Sequence, residues 1–230
     1  MLKPWNACAL SRFSDTRAVT LANPLKLSFY ARDPRVVAAE LIGCRLVHRL
    51  ASGERLIVRL VEVEAYLGDG SDPASHAHRG LTPRNQTMFG PAGRLYAYRS
   101  YGIHTCVNVV CGTKGRAAAV LLRAAEPLAG LDHMRALRGL SHDSKPAQIA
   151  AGPGRLAQAL GLELDHDGQN LLRGALTLHA PEEDEHGRRR RIETGPRVGI
   201  TQAAGLPYRF WEAGSPWVSA FRRGSSRRRR

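Results

Sequence analysis

Two carboxylates, Glu62 and Glu64, stand two residues apart in VEVEAYLG, with Tyr66 two residues further on. A carboxylate placed beside a reacting centre can take a proton from water, and such general-base help is worth typically about 10²–10⁴-fold. Three more tyrosines follow, Tyr96, Tyr98 and Tyr101, so that four of the chain's six lie in this region. Between Asp72 and Glu126 there is no acidic residue, while Arg79, Arg84, Arg94, Arg99, Lys114, Arg116 and Arg123 all fall there. A carboxylate at the lip of an aromatic, basic surface predicts chemistry on a polyanion. A basic patch inside a folded segment is the footprint expected for a phosphate backbone.

Charge placement supports this more than its size does. The net charge is +14, and six of the positive charges sit in the tail RRGSSRRRR at 222–230. Solvated arginines account for such a tail, but they do not explain why acids vanish from one interval. EEDE at 182–185 and RRRR at 188–191 cancel in a polar loop.

Other chemistries fit less well. His76, His78, His104, Cys106 and Cys111 are metal-ligand types, but the Cys-x4-Cys spacing lacks the second close pair usual for zinc. No metal is expected. Cys106 with His104 resembles a nucleophile and base only in that strand residues two apart share a face, and packing is the expected role of Cys106. No GxxxxGK[ST] phosphate loop is present, and no cofactor is expected. Tyrosines, by contrast, stack on bases at roughly 1–3 kcal/mol each. An enzyme acting on a base within a duplex must extrude it, at a cost of a few kcal/mol, and fill the gap.

The elements that must position these groups are readable in part. ARDPRVVAAELIG predicts a helix with Asp33 as N-cap, Pro34 in the first turn, Gly43 past the end, and a buried stripe of Val36, Val37, Glu40 and Leu41. Strands are predicted at 44–50 and 55–66. In the second, strict alternation puts Leu56, Val58, Leu60, Glu62, Glu64 and Tyr66 on one face, apolar at first and acidic at its end. A Gly/Pro/Ser/Asn-rich loop at 67–94 is long enough to expect a function. Strands 95–98 and 104–111 flank a turn at Arg99-Ser100-Tyr101-Gly102 that should push Tyr101 outward. Val107 and Val109 should face the core, with Cys106 and Asn108 on the opposite side. A buried strand at 117–125 carries Arg123. Helices are predicted within 128–140 and 151–162, and strands at 175–180 and 194–200. Short strands with segregated helices predict a single mixed α+β domain. At 230 residues and 43% apolar content the chain supports one core. No signal peptide or membrane span is evident, so the four cysteines are expected to be reduced in a cytoplasmic protein.

VEVEAYLG, the His76 that follows, TPRNQTMF, LYAYRSYGIHTCVNVV, AVLLRAAEP, GPGRLAQALG and GSPWVS, in this order, resemble the alkyladenine (3-methyladenine) DNA glycosylase family. The resemblance runs from Lys26 to Phe221. It implies a central antiparallel-rich curved sheet with flanking helices, like the C-terminal domain of methionyl-tRNA formyltransferase. It also divides the chain into a poorly ordered leader (1–25), a glycosylase domain (26–221) and an Arg-rich tail (222–230). By the resemblance, Glu64 is the general base and Arg123 stands beside it and the attacking water. Tyr66, His76 and Tyr98 sandwich the extruded purine, and Asn108 disfavours the exocyclic amino group of guanine. Tyr101 enters the vacated stack with Ile103, where the family usually has Met. Tyr96 is left to packing and Glu62 to support. His76 is chosen for its Ser-His context, with His78 as the alternative. Arg84, Arg99 and Arg155 are expected on the DNA backbone. The implied partner is double-stranded DNA containing damaged purines, and the implied protein is monomeric and nucleoid-associated. The alternative is an inactive duplex-binding module of the same fold.

Overall fold

The computed structural model describes residues 19–182 and 190–224. Most of the EEDE/RRRR loop, the leader up to residue 18 and the tail from residue 225 lie outside the described residues. In chain order the elements are α1 (Leu27–Tyr30), α2 (Pro34–Leu41), β1 (Arg45–Arg49), β2 (Arg55–Tyr66), β3 (Leu95–Ser100), β4 (His104–Cys111) and β5 (Ala118–Ala129). There follow α3 (Leu131–Arg138), α4 (Ala147–Ala150), α5 (Pro153–Ala159), β6 (Leu176–His179), β7 (Ile192–Gly195) and β8 (Arg209–Glu212). The strands form one antiparallel sheet in the order β3-β4-β5-β2-β1-β6, with β8 joining β2 on one side and β7 on the other. The structure is thus the expected mixed α+β domain on an antiparallel sheet. Leu25 donates to Leu178 and Pro24 bridges to His179, so the last residues of the expected leader lie on the β6 edge.

Helix α2 starts as its sequence dictates, with the Asp33 carboxylate accepting from the Arg35 N–H at 2.8 Å and Pro34 in the first turn. Its buried stripe differs from the expected one. Pro34, Val37, Ala38 and Leu41 are buried, while Val36 is exposed and Glu40 pairs with Arg32 in solvent. The 3.6-residue period sets this stripe, and adjacent positions such as 36 and 37 cannot both lie at its centre. The main core lies on one sheet face, where α2 packs on β2 and β5 and α5 packs on β4 and β5.

Two further expectations are corrected. Leu128 and Ala129 end β5 rather than opening a helix, and the chain turns at Gly130 (φ +78°), where a Cβ would meet Leu56 Cδ2 at 2.5 Å. The strand expected at 194–200 is instead β7 at Ile192–Gly195, and Pro196–Ile200 is irregular. Proline removes a ladder donor, and the next residue, Arg197, is buried.

The correction that matters most is in β2. Its ends fall where expected, but its face does not continue. Leu60 pairs with Ala125 and Glu62 with Ala124, leaving Val61 as an extra residue; Glu62–Ala124 is then followed by Val63–Leu122, leaving Arg123 extra in β5. Each bulge inverts the alternation in its strand. The core therefore holds Leu56, Val58 and Leu60, then Val63 and Ala65 on β2; on β5 it holds Val120 and Leu122, then Ala125. Glu62, Glu64, Tyr66 and Arg123 all project from the other face.

Candidate active site

On that other face the end of β2, the β3–β4 hairpin, Arg123 and the loops around residues 74–76 and 198–200 enclose a cavity of about 450 Å³, within the range usual for small-ligand sites. Tyr96 and Tyr98 stack with ring centroids 5.5 Å apart. His76 meets the Tyr98 ring edge-on at 4.5 Å, and its Nδ1 lies 3.0 Å from the Tyr96 hydroxyl. Asn108, buried on β4, donates its amide to the Tyr96 carbonyl at 3.1 Å. Tyr66, His76, Tyr98, Asn108, Cys106 and Arg123 all line this space. Tyr96, expected only to pack, lines it too and fixes the His76 ring. His78 is exposed and does not line the cavity.

Glu64 lies behind this lining and is fully buried. It accepts from the Tyr66 hydroxyl at 2.9 Å and the Val198 N–H at 2.7 Å, and Arg123 Nε stands 3.4 Å away. Glu62, also fully buried, is held by Arg123 Nε at 3.0 Å, Arg209 Nε at 2.7 Å, and the N–H and hydroxyl of Ser219 at 2.8 and 3.0 Å. The C-terminal segment is thus tied to β2 through Glu62.

Tyr101 sits at the cavity rim in a left-handed backbone conformation (φ +50°) and is 87% exposed. Ile103, in the same turn, is also exposed. Arg84 leans over Tyr98 at 5.5 Å and donates to the Arg99 carbonyl at 3.1 Å, so it belongs to the cavity mouth. Arg99 faces Glu163 at 3.9 Å in solvent. Arg155 lines an adjoining groove together with Arg138, Arg222 and His104. Among the described residues, no group of three His, Cys, Asp or Glu side chains is placed to hold a metal ion.

The sequence model of the methylpurine-DNA glycosylase (MPG) family matches residues 28–216, most of the chain. The chain belongs to that family. Methylpurine-DNA glycosylases are DNA glycosylases, hydrolases of base-excision repair. Curated relatives agree along nearly their whole lengths. A protein of Methanoculleus marisnigri named "Putative 3-methyladenine DNA glycosylase" is 50% identical over 85% of this chain and 98% of its own. Proteins of the same name from Rhodopseudomonas palustris (strain HaA2) and Nocardia farcinica are 47% and 48% identical, over 91% and 83% of this chain and 96% and 88% of theirs.

The electrostatics of the site are set by burial against paired charges and hydrogen bonds. Burial raises the pKa of Glu64, and Arg123, the Val198 N–H and the Tyr66 hydroxyl oppose that rise. Burial works against the charge of Arg123, but Glu64 and then Glu62 outweigh it and raise its pKa. The Tyr96 phenol is pushed up to about 12 by burial, so it remains a neutral donor. His76 stands at the mouth with its ring part in solvent; burial of the remainder, then Arg84, lowers its pKa and favours the neutral imidazole. Burial also raises the pKa of Cys106, which disfavours a thiolate nucleophile.

Sequence reasoning missed two residues that shape this cavity. Arg197 is buried and binds Asp72 through both terminal nitrogens, at 2.6 and 2.7 Å. Its guanidinium lies 4.5 Å from the centroid of the Tyr66 ring. No local pattern marks such a pair, because its members are 125 residues apart.

Proposed function

We propose that this glycosylase binds double-stranded DNA, receives an alkylated or deaminated purine turned out of the helix into the aromatic cavity, and hydrolyses its N-glycosidic bond. The observation that carries this reading is the buried Glu64 carboxylate behind a tyrosine- and histidine-walled cavity, with Arg123 beside it. Glu64, ionised, takes a proton from water as the water oxygen bonds to C1′. The C1′–N bond breaks, its electron pair leaves with the base, and an abasic site remains. Arg123 keeps Glu64 charged, since an adjacent cation favours the ionised carboxylate.

The walls fit the substrate class. Stacked aromatic faces hold a purine and attract cationic, alkylated bases by roughly 0.5–2 kcal/mol. The relatives named above carry 3-methyladenine in their names; deaminated and etheno purines present a similar face. Asn108 narrows the cavity against the exocyclic amino group of guanine. Tyr101, exposed at the rim with Ile103, fills the vacated stack. Arg84, Arg99 and Arg155 serve the phosphate backbone. The same proposal includes residues 26–221 as the catalytic domain, its likeness to the C-terminal domain of methionyl-tRNA formyltransferase, a monomer, and residence on the nucleoid.

The test is excision from a duplex carrying one hypoxanthine or ethenoadenine, followed by heating in alkali. Wild-type protein should yield strand cleavage at the lesion, and Glu64→Gln should not. Wild-type excision by Glu64→Gln would overturn the mechanism; binding without cleavage by the wild type would favour the inactive module.

A further inference from the structure

Three parts of the cavity lining that are far apart in sequence, the end of β2, the loop around residues 74–76 and the loop around 198–200, are joined by one buried ion pair. Asp72 accepts from the backbone N–H groups of Leu67 and Ala74, both at 3.2 Å, and so shapes the loop that carries His76. Arg197 donates to the Ala65 carbonyl at 3.0 Å, next to Tyr66 on β2, while stacking on the Tyr66 ring. Its own neighbour, Val198, donates the N–H that reaches Glu64. Both side chains are almost wholly excluded from solvent.

We propose that Asp72 and Arg197 form a positioning pair for the general base: they fix the Val198 N–H and the Tyr66 hydroxyl where Glu64 needs them. This rests on Glu64 acting as the general base. A buried pair adds little net stability compared with an apolar replacement, whereas a two-pronged Arg–carboxylate contact fixes orientation. The pair is therefore better explained by what it orients than by the stability it adds. Two of the hydrogen bonds that hold Glu64 ionised come from groups that Arg197 touches or adjoins. Disturbing the pair should loosen both and leave burial less opposed.

Other charges and titratable groups face Glu64 and must stay constant in the test. They are Glu62 and Tyr66 on β2, Arg123 on β5, Tyr98 on β3, Cys106 on β4 and Arg209 on β8. Arg197 also interacts with Glu64 and is itself paired with Asp72. Two variants preserve the net charge. Arg197→Lys keeps the ion pair but loses the fork, and Asp72→Asn combined with Arg197→Met removes both charges at similar volume.

The experiment is single-turnover excision of hypoxanthine from a duplex as a function of pH. The amplitude reports the folded, competent fraction, and the rate constant reports chemistry in that fraction. The acid limb should move to higher pH by about one unit in both variants, close to a tenfold slower rate below the limb, with a smaller change on the plateau. Rate profiles that superimpose on wild type after scaling by one constant would overturn the inference and leave the pair a purely structural one. Arg197→Lys, which retains the buried pair, supplies the result should the double variant fail to fold. A failure of the underlying reading looks different: Glu64→Gln would keep wild-type excision, or the wild-type profile would have no acid limb.

Discussion

Arg123 Nε stands between two fully buried carboxylates, 3.0 Å from Glu62 and 3.4 Å from Glu64. The two acids look equivalent in the sequence, yet they have different surroundings. Glu62 is enclosed by two arginines and by the N–H and hydroxyl of Ser219. Glu64 has one more distant arginine, a phenol and one backbone N–H, all of which belong to the cavity lining. The first ties residue 219 to β2; the second lies against the cavity lining.

Glu64→Gln should abolish excision and stabilise the fold. Burial raises the folded pKa of Glu64 above its ordinary value of 4.5, so the ionised form costs stability at higher pH. Stability linked to this group is present below the unfolded pKa and lost as pH rises through the folded one. The variant should therefore melt above wild type at pH 8, with the gap closing towards pH 4. Thermal melts at both pH values check this, and a lower melting temperature at pH 8 would contradict it.

Glu62→Ala should destabilise strongly. It leaves Arg123 without its nearer partner, and Arg209 and Ser219 without Glu62. Breaking a buried pair from one side costs about 3–5 kcal/mol. Ser219→Ala removes only the hydroxyl contacts and should cost about 1 kcal/mol. Urea denaturation at pH 7 measures both, and equal effects would show that Glu62 is not the tie described.

Tyr101→Ala should leave stability within about 0.5 kcal/mol of wild type, because the side chain is 87% exposed. Base extrusion should nonetheless weaken. Ethenoadenine fluorescence, quenched by stacking in the duplex, gives the direct readout. An unchanged fluorescence rise on binding would remove the wedge assignment.

Arg155→Ala should weaken binding to duplex DNA with and without a lesion alike. If the side chain holds one phosphate, the slope of log affinity against log salt should fall by about 0.9. Titrations at several salt concentrations test this, and an unchanged slope would place the groove off the DNA path.

Much of the frame is legible in the sequence. The ends of β2 and β4 and the start of α2 fall where alternation, Asp33 and Pro34 put them, because these signals are local to a few residues. The exposed Tyr101 followed from its turn, and the aromatic and basic composition pointed to nucleic acid. The register of the site was not readable in the same way. Counting by twos placed Glu62 and Glu64 on the face of Leu56, Val58 and Leu60, and the bulges at Val61 and Arg123 moved them to the other.

By itself the sequence determined the residue types, the ends of these elements and the family motifs that name Glu64, Tyr66 and Tyr98. Tertiary structure alone decided that bulges turn Glu64 and Arg123 away from the core face, that Tyr96 joins the cavity, and that Asp72 and Arg197 meet beneath Tyr66. The reason is physical. A bulge depends on how many residues the partner strand offers opposite it, and a buried ion pair depends on which loops the folded sheet brings within a few ångströms. Neither leaves a mark in the period of its own segment.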